Sequence, residues 1–224
     1  LKAMDGLKQA RRCWFLNIRK FFLSLDDIDG VTVRQCTSDA CLFTFTRGDE
    51  RLAIALYVDD MVCSCSSTSL KEWFLQQLGG KYTYTQGPLE WCLGIRVNQS
   101  AKGVELVQTA YIEKVYEEFG DHAKFRKYDV PADPNKAIGS IPAPMPGDND
   151  AQSLPYRELV GALLYICITR PDIQFAVSSL AAFMSNWSKD HFRAAVRVLH
   201  YLQQTKYLGL MYPTGCDLKL SAMS

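Results

Sequence analysis

Asp59 and Asp60 stand side by side between two apolar, extended stretches, Leu52 to Val58 and Met61 to Cys65. A hairpin turn built only for geometry tolerates Asp, but Asn-Gly or Asp-Gly is the more usual choice. Two neighbouring carboxylates repel each other, and next to an apolar strand their charge is costly to desolvate. A divalent cation offsets that repulsion. Magnesium takes carboxylates together with substrate phosphate oxygens, and two such ions about 3.5–4 Å apart can drive an in-line phosphoryl displacement. The pair is therefore either a plain turn or the ligand set for metal-assisted chemistry.

Other chemistry-bearing residues are sparse. The eight cysteines include no CxxC pair, so a zinc site is not expected. Most of them sit in apolar runs, as buried free thiols in a reducing compartment would. His191 falls near the start of a helix and reads as structural, and His122 and His200 have no partners that suggest a site. Lys plus Arg is 25 against 24 for Asp plus Glu, so nucleic-acid binding would have to come from local patches. Lys8, Arg11 and Arg12 form one, unless they are only a solvated helix face. The longest apolar run, Leu159 to Ile168, is shorter than the ~20 residues a membrane helix needs, and the first dozen residues have no signal-peptide character.

The elements that must position Asp59 and Asp60 follow from periodicity. Leu7, Ala10, Trp14, Ile18, Phe21 and Leu25 make one apolar stripe on a helix over residues 8 to 25, with Asp5 as its cap. Asp26 to Gly30 is a turn-rich break. Cys41 to Thr46 alternates as a strand, Arg47 to Glu50 turns, and Leu52 to Val58 reads as a strand covered on both faces. A helix from Ser69 to Leu78 follows, with Thr68 or Ser69 as cap, Glu72 in the capping-box position, and Gly79-Gly80 as stop. Tyr82 to Thr85, Trp91 to Asn98 and Val104 to Val107 read as strands, and Ala110 to Phe119 as a helix capped by Thr109. Residues 128 to 154 are rich in Pro, Asp, Asn and Gly and read as a linker or long surface loop. Helices then dominate. Pro155 and Pro171 suit first turns, and Ser188 caps a helix carrying Phe192, Ala195, Val198, Leu199 and Leu202. Leu208 to Tyr212 and Leu218 to Leu220 read as two short strands starting something new.

With that frame in place, a series of ordered motifs stands out. Tyr57-Val58-Asp59-Asp60 resembles the YVDD box of reverse transcriptases. Gly6-Leu7-Lys8-Gln9-Ala10 with Arg12 and Trp14 resembles the GLKQAPRxW block of the copia-type retrotransposon enzymes, with Arg11 in place of its Pro. Leu93-Gly94-Ile95 is similar to the LGI segment that family has after the palm. Gln108 with Tyr111-Ile112 resembles its QxxYI segment. Tyr156 with Leu159-Val160-Gly161 and Leu163-Leu164-Tyr165 resembles its YRxLVGxLLY block. Thr169-Arg170-Pro171-Asp172-Ile173 resembles its TRPDI block, and His191 to Leu202 its HxxAAxRxLxYL block.

That resemblance implies an α+β fold. Residues 1–100 would be a partial palm, an antiparallel sheet with helices, with the YVDD hairpin and primer grip. Residues 101–127 would start the thumb, 128–154 link, 155–207 form a helical connection, and 208–224 open an RNase H-like domain. It implies an RNA-directed DNA polymerase fragment of a Pol polyprotein from an integrated transposable element, working by two-metal nucleotidyl transfer. Asp59 and Asp60 would be catalytic and would bind two Mg²⁺ ions. Tyr57, Val58, Gly6, Lys8, Gln9 and Arg12 would meet nucleotide or template, and Trp91, Leu93 and Gly94 would grip the primer. The implied partners are an RNA or DNA primer–template, dNTPs and the rest of the polyprotein, with no membrane; the implied place is a cytoplasmic particle or the nucleus. The family's third carboxylate lies on a strand upstream of the GLKQ block, and Asp26, Asp27 and Asp29 do not fit its role. The fragment is therefore expected to be inactive alone. The rival reading is a repurposed nucleic-acid-binding or interaction module without chemistry.

Overall fold

The structure is a computed structural model that describes residues 9–122, 124–144 and 153–215. Its contacts divide the chain into two compact units, residues 1–88 and 89–224. Among the described residues there are two antiparallel sheets and six α-helices, an α+β fold.

The first unit places helix α1 (Ala10–Leu23) before a four-stranded meander of β1 (Thr32–Gln35), β2 (Leu42–Arg47), β3 (Glu50–Tyr57) and β4 (Asp60–Cys65), then α2 (Thr68–Gly79). Phe22 of α1 meets Phe43, Phe45 and Phe74, and Phe45 meets Phe74, in edge-to-face pairs at 5.1–5.6 Å. Both helices thus cover the sheet face that carries Val33, Phe43, Phe45, Leu52, Ile54 and Leu56. The other face is open. β3 was expected to be covered on both faces, but its burial alternates, and Ala53 and Tyr57 are exposed. Alanine is small enough to sit in an apolar run without needing a cover, which is why the run misled.

Other local expectations shift for similar reasons. Asp5 and Leu7 lie outside the described residues. β1 is too short and polar to announce itself, yet Asp26 Oδ1 accepts from Val33 N at 2.7 Å and Trp73 Nε1 donates to Asp29 Oδ2 at 2.7 Å, which ties the Asp26–Gly30 break to the sheet. The cap of α2 is Ser67, which accepts from Leu70 N, while Ser69 accepts from Arg47. Tyr82 to Thr85 form no strand. Tyr82 Oη donates to Asn17 Oδ1 and Tyr84 Oη to Leu75 O, so these rings pack on the helices instead of joining a ladder. The cysteines are not buried: Cys13, Cys36 and Cys63 are exposed and Cys41, Cys65, Cys92 and Cys167 half-buried, all free. Cys216 lies outside the described residues.

The second unit has the sheet β5 (Trp91–Cys92), β6 (Ile95–Ser100), β7 (Gly103–Val107) and β8 (Leu210–Pro213) in that order. The single strand expected over Trp91 to Asn98 is broken by a two-residue turn, with Leu93 at φ 52° and Gly94 at φ 77°. β8, expected to begin something new, pairs with β7 as the fourth strand; Leu218 to Leu220 lie outside the described residues. Helices α3 (Thr109–Phe119), α4 (Tyr156–Ile166), α5 (Gln174–Ala181) and α6 (Lys189–Gln204) enclose one core, which takes in Phe192, Ala195, Val198, Leu199 and Leu202 of α6 as expected. Ile138 and Ile141, from the stretch expected to be a linker or surface loop, are buried in that core. Thr109 does not cap α3; its hydroxyl donates to Lys206 O at 2.9 Å.

Ser188 caps α6 as expected, in a reciprocal box with an unusual partner. Its hydroxyl accepts from the His191 backbone, and His191 Nδ1 accepts from Ser188 N at 3.2 Å. This box requires a neutral imidazole. Burial lowers the His191 pKa from its ordinary 6.5, Asp190 opposing and Lys136 adding to it; burial lowers that of His200 too, against a hydrogen bond to the Gly120 backbone. Both folded values lie below the unfolded one, so the unfolded chain takes up these protons first. Their contribution to stability is complete above pH 6.5 and is lost as pH falls below it toward the folded values. Hydrogen exchange across α6, corrected for intrinsic rate, should therefore quicken between about pH 7.5 and about pH 5.5. Unchanged protection over that window would refute this.

Candidate active site

The two carboxylates stand at the tip of the β3–β4 hairpin. Tyr57 pairs with Asp60, so Val58 and Asp59 form a two-residue turn. Tyr57, Val58, Asp59 and Asp60 are all exposed, so the desolvation cost expected from their apolar neighbours does not arise. Tyr57 and Asp60 lie opposite one another on the open face of the sheet.

The backbone of this turn is strained. Val58 has φ 53°, a region that a β-branched side chain rarely enters. Such strain persists only where the surroundings hold it, and Trp14 does so: its Nε1 donates to Val58 O at 2.7 Å. Trp14 is in turn set by an edge-to-face contact with Tyr82 at 5.4 Å. The Val58 carbonyl is thereby tied to α1, so the carboxylates cannot swing freely with the hairpin. Val58→Gly should relieve the strain, less the entropy of a glycine in the unfolded chain. The expected net gain for the first unit is about 1 kcal/mol, read from its urea midpoint. A loss of stability would show that the valine side chain, and not its backbone, matters here.

Of the expected nucleotide and template residues, Gln9 and Arg12 are exposed at the start of α1. Gly6 and Lys8 lie outside the described residues. Trp91, Leu93 and Gly94 come together on the β5–β6 hairpin of the second unit, all exposed. This turn is also pinned by an aromatic donor: Tyr165 Oη from α4 donates to Leu93 O, and Tyr165 packs edge-to-face on Tyr111 at 4.8 Å. Sequence reasoning gave Trp14 no role beyond its motif and the apolar stripe of α1, and Tyr165 none beyond its motif. Each motif marks a residue whose partner lies 44 or 72 positions away, which spacing alone does not reveal. Among the described residues, no three His, Cys, Asp or Glu side chains are grouped to hold a metal. No helix among them is long and apolar enough to cross a membrane.

Comparison with known proteins decides the lineage. The family profile described as reverse transcriptase (RNA-dependent DNA polymerase) matches residues 1–131. The chain belongs to this family, as a copia-type member. It is 30% identical, over its whole length, to the Retrovirus-related Pol polyprotein from transposon RE1 of Arabidopsis thaliana, of which it covers 14%. It is 29% identical over 91% of its length to the corresponding polyprotein from transposon TNT 1-94 of Nicotiana tabacum, covering 15% of that protein. It is also 29% identical over 97% of its length to the putative transposon Ty5-1 protein YCL074W of Saccharomyces cerevisiae, covering 68% of it. The chain thus spans about a seventh of the polyproteins it matches. No solved structure matches it.

Proposed function

We propose that the chain carries part of the polymerase centre of a copia-type reverse transcriptase. In this reading residues 1–100 are palm and primer grip, 101–127 begin the thumb, 128–154 link, 155–207 are the connection, and 208–224 open an RNase H-like region. The observation that carries it is the pair Asp59 and Asp60, exposed at the tip of a hairpin whose strained turn is pinned by Trp14. Two oxygen-donor carboxylates on a fixed turn suit Mg²⁺, which keeps open positions for phosphate oxygens. When bound there, the ions would activate a primer 3′-hydroxyl and offset charge on the leaving pyrophosphate. Tyr57 and Val58 would lie at the primer end, Gln9 and Arg12 toward nucleotide and template, and Trp91, Leu93 and Gly94 along the primer. The partners are then a primer–template, dNTPs and the remainder of the Pol polyprotein.

Two exposed carboxylates, with no third grouped beside them among the described residues, hold a divalent ion weakly. Primer extension is therefore expected to be absent from the chain alone and present in a Pol polyprotein that carries this segment. There, Asp59→Asn should abolish extension. On the chain itself, a Mn²⁺ titration should show weak binding that Asp59→Asn reduces further. Equal binding by chain and variant, or full extension by the polyprotein variant, would sink the assignment. Metal-dependent extension by the chain alone would overturn its inactivity.

A further inference from the structure

Val58 and Asp59 make the turn between β3 and β4, and of the two only Val58 takes a positive φ. A two-residue hairpin turn with a positive φ at its first residue alone calls for glycine there. This chain has a β-branched residue instead, whose side chain opposes that backbone. Turns of this kind differ mainly in how the central peptide faces, here the one joining Val58 to Asp59. Left to itself, that peptide would turn to a form in which valine is not strained.

Trp14 acts on that same peptide, since its Nε1 donates to Val58 O at 2.7 Å. A peptide unit is planar, so holding the Val58 carbonyl also places the nitrogen and Cα of Asp59. The indole is half-buried, and water could serve its N–H. The bond is therefore not needed to satisfy the donor; what it does is orient the acceptor. Trp14 is itself held. Tyr82 packs edge-on against both Trp14 and Phe21, each at 5.4 Å, and its hydroxyl donates to Asn17 Oδ1 at 2.8 Å. Trp14, Asn17 and Phe21 recur at steps of three and four residues, so one ring clasps one face of α1. Lys81 Nζ covers the Phe21 ring at 4.9 Å.

We propose that Trp14 is a positioning residue for Asp59, holding the turn in the strained form that presents the Asp59 carboxylate to a divalent ion. The proposal rests on the polymerase reading in taking Asp59 as a ligand of that ion. It couples two residues that no contact with substrate joins. The indole is needed because residue 58 is valine. With glycine at 58 the same turn is unstrained, and the pin becomes dispensable.

The test is a double-mutant cycle between Trp14→Phe and Val58→Gly. Phenylalanine keeps a ring against Tyr82 and loses the N–H, so the urea midpoint of the chain should move little. In a Pol polyprotein that carries this segment, Trp14→Phe should lower kcat for primer extension about tenfold and leave KM for dNTP within about twofold. With Val58→Gly already present, the same change should cost about twofold or less. On the chain itself, Trp14→Phe should weaken Mn²⁺ binding several-fold with valine at 58 and little with glycine there. A loss of equal size in both backgrounds would make Trp14 a packing residue only and overturn the proposal, as would no loss in either. The polymerase reading is tested apart from this. If Asp59→Asn leaves extension intact, that reading has failed; if Asp59→Asn abolishes extension while Trp14→Phe is silent, only the positioning role is lost.

Discussion

Arg170→Met is expected to destabilise the second unit by about 3–5 kcal/mol. The Arg170 side chain is only 2% exposed, and every nitrogen of its guanidinium donates a hydrogen bond. Nε and Nη2 reach the two oxygens of Asp172 at 2.9 and 2.7 Å, a bidentate pair. Nη1 donates to Thr205 O at 2.9 Å and Nη2 to Thr205 Oγ1 at 2.8 Å. Thr205 is the C-cap of α6, so the guanidinium satisfies a helix carbonyl as well as a carboxylate. Tyr201 donates to Asp172 Oδ2 at 2.8 Å and offers its ring to the guanidinium at 5.6 Å. Burial pushes the Asp172 carboxyl up, but the hydrogen bonds from Arg170 and Tyr201 outweigh it and hold it below the usual range. Methionine matches the stem and none of these bonds. It leaves a partly buried carboxylate and a helix-end carbonyl without their main partner. Because the Asp172 side chain is 36% exposed, water offsets part of the loss, which favours the lower end of the range. Lysine would fare little better, since an ammonium cannot serve two oxygens of a carboxylate and Thr205 together. The measurement is the urea midpoint of the chain and Arg170→Met, with Arg193→Ala as control. Arg193 pairs with Asp190 at the surface, where the expected effect is below about 1 kcal/mol. If the two substitutions cost the same, the buried pair is not what holds α6.

The same residues show what the sequence could and could not say. The TRPDI motif was readable as a motif, but not as a structural clamp, because Arg170 finds Thr205 35 positions later. Elements with strong periodicity were legible: α1, α2, α3, α6 and the strands on either side of Asp59 and Asp60 all form. Elements defined by a few residues were not. β1 has four, and the turn at Leu93-Gly94 depends on two positive φ angles, one of them at a leucine. The candidate site was found from its carboxylates, since two adjacent Asp residues on a hairpin are unusual on charge grounds alone. What holds them was not found. The hydrogen bond from Trp14 joins residues 44 positions apart, and a tryptophan on an apolar stripe reads as core. The resemblance carried both residues in separate blocks without saying that they touch. The fourth strand of the second sheet was not legible either: Leu208 to Tyr212 reads as the start of something new, and its partner in the pairing of β8 with β7 lies about a hundred residues earlier.

That pairing sets the second large effect. Gly103→Ala should release β8 from the sheet or cost at least about 2 kcal/mol. Gly103 has φ 143°, a conformation rarely open to a side chain, and a Cβ added there would lie 2.1 Å from Tyr212 O and 2.8 Å from Pro213 Cα. Both neighbours are backbone atoms of β8 and cannot turn aside as a side chain would. At the far end of the same pair, a Cβ on Gly209 would come within 2.2 Å of Leu106 O. The β7–β8 ladder, from Gly103↔Pro213 to Leu106↔Leu210, is thus bracketed by two glycines that let the backbones approach. Hydrogen exchange should report the outcome: in Gly103→Ala, the amides of Leu210, Met211 and Tyr212 lose protection while those of α4 and α6 keep theirs. A variant with β8 protection equal to the parent would mean that the close approach is not required.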